Sequence, residues 1–239
     1  MTAATPPPLA PDLTEGLKRL KMAAMRRLAP ELLVTAKTQR WNPEEFLRTL
    51  VGAEITARDE SNARTRLRQA AFPVTKTLED FDVAASSIPK PTFDYLASWS
   101  ECVPRNICLI GPAGTGKSHM LVALGIAAIE HGHRVRYFTA AELVETLYRG
   151  LVDELGFAPL DDTGAQLLFR FVAAAYERRS LGIGSHWPFE SWGRFLPEHT
   201  TAVSMLDRLL HHCHTVVTDG ESYRMKQARG RGRGNIKTN

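Results

Sequence analysis

The run GPAGTGKS at residues 111–118 fits the spacing G-x-x-x-x-G-K-[ST] at every fixed position and directly follows the apolar stretch 107–110. This pattern suits polyphosphate chemistry. Glycines let consecutive backbone N–H groups curl around phosphate oxygens, a lysine at the seventh position reaches the outer phosphates, and the following hydroxyl can ligate Mg²⁺. Gly111, Pro112, Ala113, Gly114, Thr115, Gly116, Lys117, Ser118 and His119 are therefore the candidate nucleotide-binding residues.

Nucleoside triphosphate hydrolysis needs two further groups, one to hold the metal and one to aim a water in line at the γ-phosphate. The sequence LVDE at residues 151–154 offers both. Asp153 is the candidate metal ligand alongside Ser118, and Glu154 the candidate general base; an acidic pair at a solvated helix end is the competing reading. His186 follows a weak apolar segment at 181–185, so it falls either at a strand's carboxyl end near the γ-phosphate or in a surface loop. Arg208 is either a guanidinium offered to a neighbouring subunit's γ-phosphate or half of an ion pair with Asp207 or another acid. The histidines at 211, 212 and 214 diverge on a helix and lack further ligands, which leaves them structural.

These residues need a scaffold, and the spacing of apolar side chains predicts one. A helix over 118–130 places Met120, Leu121, Leu124 and Ala128 on one face, with the positive end of its dipole toward the phosphates. Residues 134–138 alternate like a strand, Thr139 with Glu142 begins a helix, and a further helix is expected over about 163–178. Segment 181–185 reads as a weak strand whose Gly182 and Gly184 suggest a close backbone approach. A helix over about 202–212 and a short strand at 215–218 complete the alternation. Strands alternating with helices imply an α/β fold with a parallel sheet covered on both faces, ligands lying at the strands' carboxyl ends.

Residues 1–71 read as a small N-terminal helical domain, with Pro30 interrupting the first helix and Asn42-Pro43 starting a second. Arg58, Arg64, Arg66 and Arg68 crowd the end of that helical stretch. They either compensate its dipole or contact DNA phosphates. Residues 72–104 hold four prolines among aromatic residues and read as a connector that packs along the nucleotide domain or covers the adenine. The nucleotide domain is expected over 105–225, and residues 226–239 read as a basic disordered tail whose RGRGRG run at 229–234 has no apolar side chain to bury.

Charge is divided along the 239 residues: residues 1–80 carry +3, residues 81–223 carry −5, and residues 224–239 carry +6. Basic ends around an acidic body suit a protein that grips a polyanion, with solubility as the bland alternative. No apolar run approaches a membrane span and no hydrophobic signal segment opens the chain, so a cytoplasmic location and no membrane partner are expected. Three widely spaced cysteines argue against a disulfide framework or a zinc site.

Together with the phosphate loop, FPVTKTLEDF at 72–81, DELGF at 153–157, YERR at 176–179, DRLLHH at 207–212 and GESYR at 220–224 resemble the IstB-like helper ATPases of insertion-sequence transposition. These are relatives of the DnaC-type helicase loaders within the AAA+ class. The resemblance implies a P-loop AAA+ nucleotide-binding domain behind an N-terminal helical domain, ATP and Mg²⁺ as cofactors, and homo-oligomeric assembly on double-stranded DNA. It also implies stimulation of a partner transposase, with Lys117 and Ser118 on ATP–Mg²⁺, Asp153 and Glu154 as the Walker B pair and Arg208 as arginine finger. Two features depart from the family pattern. His186 stands where related ATPases often carry Asn, and the chain runs from the Thr139 helix into Asp153 with only Leu151 and Val152 for a strand. That shortening keeps open an ATP-dependent DNA-binding scaffold with impaired hydrolysis, and a helicase loader is the third reading.

Overall fold

The computed structural model describes residues 6–98, 106–149, 162–176, 178–194 and 199–226. The chain divides into two compact units, residues 1–68 and 69–239.

The first unit is helical: α1 (Pro11–Arg19), α2 (Ala23–Gln39) and most of α3 (Pro43–Ala70). Met25, Ala29 and Leu50 form its core, with Leu17, Met22, Leu32 and Phe46 packed around them. Pro30 does not interrupt the helix as expected; it lies inside α2. The break falls instead at residues 20–22, where Lys21 takes a φ of 58° and the Met22 N–H returns to the Leu17 carbonyl at 2.8 Å. The reason is a contact remote in sequence. The Glu54 carboxylate accepts the Ala24 and Met25 N–H groups at 2.9 and 3.1 Å, fixing the start of α2, and burial of Met25 and Ala29 holds the helix through the proline. At α3, Asn42 Oδ1 accepts the Glu45 N–H at 2.8 Å, the N-cap that the sequence predicts.

The second unit is α/β. Its elements are α4 (Lys90–Ser98), β1 (Asn106–Ile110), α5 (Lys117–Glu130), α6 (Ala140–Arg149), α7 (Asp162–Ala175), β2 (Gly182–Ser185), a 3-10 turn (Phe189–Arg194), α8 (His199–Leu210) and β3 (Cys213–Val217). Among the described residues the sheet has three strands in the order β2-β1-β3. Both pairings are parallel, with Ile110 opposite Ser185 on one side and Val217 on the other. β1 is thus central, and Cys108 and Leu109 are fully buried, as a continuous apolar strand in a parallel sheet should be.

Gly182 and Gly184 present their missing side chains to Leu121 of α5, while the intervening Ile183 packs with Val172, Trp192, Met205 and Leu209. The two-residue period therefore puts α5 on one face of β2 and the α7–α8 layer on the other. The glycines act as predicted, allowing close approach. α5 is apolar on nearly every side, and Met120 and Leu124 join Leu109 and Val216 in the core.

One expectation for this unit fails. Residues 134–138 alternate but form no strand: the Tyr137 N–H bonds the Ala70 carbonyl at 2.8 Å and the Arg136 guanidinium the Gln69 carbonyl at 2.7 Å. Alternation supplies only a side-chain pattern; a strand also needs a neighbouring strand, and here the backbone pairs with the last turn of α3. Residues 72–98 pack along the nucleotide unit: Phe81, Ile88 and Leu96 belong to the core over the sheet, and residues 90–98 form a short helix. No helix among the described residues is long and apolar enough to cross a membrane.

Candidate functional site

β1 ends at Ile110 and α5 begins at Lys117, so residues 111–116 form the strand-to-helix loop. The loop stays curled because its glycines sit where no side chain fits. A Cβ on Gly111, at φ 149°, would stand 1.9 Å from the Thr218 carbonyl oxygen and 2.3 Å from its hydroxyl. One on Gly114, at φ 81°, would meet the Ser222 hydroxyl at 2.1 Å. The Tyr223 N–H also bonds the Gly114 carbonyl at 3.0 Å, so the residues just past β3 brace the loop.

Lys117 lies at the first position of α5 and is only 5% exposed. Its ammonium donates to the Gly111 and Pro112 carbonyls at 2.6 and 2.5 Å, and burial holds its pKa below the ordinary 10.5. A buried cation with carbonyl partners only is an anion receptor in waiting: a phosphate oxygen supplies the formal negative charge that carbonyl dipoles lack. Gly116 caps α5 without any side-chain bond to its first-turn N–H groups, which leaves that end of the helix suited to phosphate. Ser118 is exposed on the same turn, so its hydroxyl is a suitable oxygen donor for a hard cation such as Mg²⁺. Thr115 turns inward, its hydroxyl 2.9 Å from the Pro112 carbonyl and 2.7 Å from the Thr218 hydroxyl.

The remaining predicted residues are placed as follows. His119 shares the first turn of α5, but its ring faces the Thr77 carbonyl at 3.1 Å and the edge of Phe81, pinning segment 77–81 to the helix. His186 directly follows β2, whose last residue, Ser185, accepts the Gly111 N–H at 3.1 Å. It is therefore exposed at the carboxyl edge beside the loop. Arg208 stacks on the Phe169 ring at 4.9 Å and donates to the Ser204 carbonyl at 3.3 Å, so in a single chain it packs on α7 instead of pairing with Asp207. Asp153 and Glu154 lie outside the described residues, as do residues 227–239 of the basic tail. In the helical unit, Arg58 lies within α3 and is engaged by Glu54 at 3.0 Å and by the Lys21 carbonyl at 3.3 Å, a structural role other than compensation of the helix dipole. Arg64 and Arg68 are exposed one turn apart on α3, and Arg66 is half-buried.

His211 and His214 bond the Tyr176 and Tyr95 hydroxyls at 3.1 and 2.9 Å, and among the described residues no cluster of His, Cys, Asp or Glu fits a metal ion. Residues that sequence reasoning left without a role are Thr218 and the Ser222-Tyr223 pair. Thr218 falls just past the end of β3 and Ser222-Tyr223 in the segment that follows, positions that strand pairing reveals.

The sequence matches the family described as IstB-like ATP binding protein over residues 15–151 and 150–230, two stretches that meet just before Asp153. It is 34% identical over 243 residues to the insertion sequence IS21 ATP-binding protein of Pseudomonas aeruginosa, covering 92% of this chain and 91% of the relative. It is 30% identical over 236 residues to the insertion sequence IS5376 ATP-binding protein of Geobacillus stearothermophilus, covering 90% and 94%. Among solved structures, AMPPCP-bound DnaA from Aquifex aeolicus aligns with a TM-score of 0.49 at 17% identity, covering 71% of this chain and 58% of that one.

Proposed function

We propose that this chain, which belongs to the family of IstB-like ATP-binding proteins of insertion sequences, is a DNA-dependent AAA+ ATPase that assists a transposase. The observation that carries the reading is the phosphate loop, braced on two of its glycines and holding a buried Lys117. Lys117 would exchange the Gly111 and Pro112 carbonyls for outer phosphate oxygens, and the first-turn N–H groups of α5 would take the rest. Ser118, with Asp153, would hold Mg²⁺, which when bound neutralises charge on the phosphates. Glu154 would take a proton from the attacking water, while His186, beside the loop, would contact that water or the γ-phosphate. Arg208 would serve a neighbouring copy, leaving its Phe169 stack when subunits assemble on double-stranded DNA. Arg64, Arg66 and Arg68 would track DNA phosphates, with Arg58 contributing less because Glu54 already holds it.

ATP hydrolysis measured with and without double-stranded DNA, against Lys117→Ala, tests this reading. DNA-stimulated turnover in the natural chain alone is the expected result; no turnover above the Lys117→Ala level under either condition refutes the ATPase assignment. A second reading is an ATP-dependent DNA-binding scaffold with impaired hydrolysis. It is favoured by the division of the family match at residues 150–151, immediately before Asp153 and Glu154. DNA binding that requires ATP but is indifferent to Glu154→Gln would select it.

A further inference from the structure

We propose that Thr218 is a positioning residue for the phosphate loop, holding residues 111–115 in their phosphate-receptive curl both in the free chain and when Lys117 leaves its carbonyl partners for a nucleotide. The inference rests on the ATP-binding reading above and gives that site a residue 103 positions away from its partner in the loop.

Thr218 is 1% exposed. Its N–H bonds the Ile110 carbonyl at 2.6 Å, carrying the β1–β3 ladder one residue further and bringing the side chain under the loop. Its hydroxyl lies 3.1 Å from the same carbonyl and 2.7 Å from the Thr115 hydroxyl. Gly111 lacks a side chain at the point where the Thr218 carbonyl and hydroxyl press against it. One buried threonine thus touches the loop's first residue and its fifth.

Proton counting gives this pair a role. Two hydroxyls carry two protons, so the pair has two ordered arrangements. In one, Thr115 donates to Thr218 and Thr218 donates to the Ile110 carbonyl, leaving the Pro112 carbonyl to Lys117. In the other, Thr218 donates to Thr115 and Thr115 donates to the Pro112 carbonyl. Reversing the chain covers the Pro112 carbonyl once the Lys117 ammonium has turned to a phosphate. Without the Thr218 hydroxyl, Thr115 keeps its bond to the Pro112 carbonyl, but the loop loses its side-chain bond to the residue that follows β3. The loop would then hold its curl less firmly in the state that binds nucleotide.

The test compares Thr218→Val, Thr218→Ser and Thr115→Val with the natural full-length chain, using a fluorescent ATP analogue for affinity and amide hydrogen exchange of residues 111–116 in the nucleotide-free protein. Thr218→Val should weaken the analogue about tenfold and speed exchange in the loop, while Thr218→Ser should stay within about threefold of the natural chain. Thr115→Val removes the same bond from the loop side together with the bond to the Pro112 carbonyl, so it should weaken the analogue at least as much as Thr218→Val, and the double variant should be no weaker than the weaker single. Natural affinity and exchange in Thr218→Val overturn the proposal, as does a serine variant as weak as the valine variant or strictly additive losses in the double. If the natural chain itself binds the analogue no better than Lys117→Ala, the ATP reading fails instead, and loop exchange in the free protein still decides the role of Thr218.

Discussion

Replacing Gly111 with alanine separates two costs that usually arrive together. The added Cβ would stand 1.9 Å from the backbone oxygen of Thr218, just past β3, more than 1 Å inside the 3.0 Å limit of real contacts, and Gly111 also has a φ of 149° that side chains rarely adopt. The backbone conformation costs about 1–3 kcal/mol and forcing the overlap apart about another 1–3 kcal/mol. Gly220 provides the control: its φ is 101°, yet an added Cβ there meets nothing within 4 Å. Gly220→Ala should therefore lose only about 1–2 kcal/mol in urea denaturation of the nucleotide unit and keep its affinity for ATP. Gly111→Ala should lose about 4 kcal/mol. Relief of the overlap must move the loop or the end of β3 by about 1 Å, a displacement that can cost about a hundredfold in site function. Titration of a fluorescent ATP analogue alongside the denaturation curves gives both readings. If Gly111→Ala and Gly220→Ala behave alike in stability and in affinity, the claim that Thr218 bears on the loop through Gly111 is wrong.

Gly52 lies inside α3 with open space around it, so Gly52→Ala should raise the stability of the helical unit by about 0.5–1 kcal/mol, read as a higher thermal midpoint. The Met25 N–H above all, with the Arg58 guanidinium and the Ala24 N–H, holds the Glu54 carboxyl below its ordinary pKa of 4.5. Its stabilising contribution is therefore full above that value and lost as pH falls through the lower folded one, so Glu54→Gln should lower the thermal midpoint at pH 7 and converge with the natural chain in acid. Burial lowers the pKa of Lys117, so the folded chain gives up that proton before the unfolded chain does. Affinity for the ATP analogue should accordingly decline as pH rises toward 10.5, while the free protein gains relative stability over the same range; an affinity flat to that pH would count against Lys117 as the phosphate ligand. Arg64→Ala and Arg68→Ala should each lower the slope of log affinity for double-stranded DNA against log salt by about 0.9, and unchanged slopes would remove them from the DNA interface.

What the sequence disclosed depended on how far each contact reaches along the chain. The loop, the Asn42 cap of α3 and the Thr139–Glu142 cap of α6 are closed within a few residues, so residue type and spacing suffice to find them. The Glu54 carboxylate at the start of α2 acts from 30 positions away, and only packing reveals it; without it, Pro30 is the natural place to break the helix. Residues 134–138 show the opposite error, a local pattern without the neighbour that would make it a strand. Thr218 is the instructive case, because strand order makes it derivable. With β1 between β2 and β3 and Ile110 opposite both Ser185 and Val217, the residues that follow the three strands, Gly111, His186 and Thr218, fall on one rung of the sheet. In an open parallel sheet that rung is where ligands bind. The reasoning that singled out His186 reaches Thr218 only once pairing ends β3 at Val217, because the sequence pattern counts that threonine as the last residue of the strand. Its buried hydroxyl, bonded to the loop on one side and to β1 on the other, ties the end of β3 to the loop.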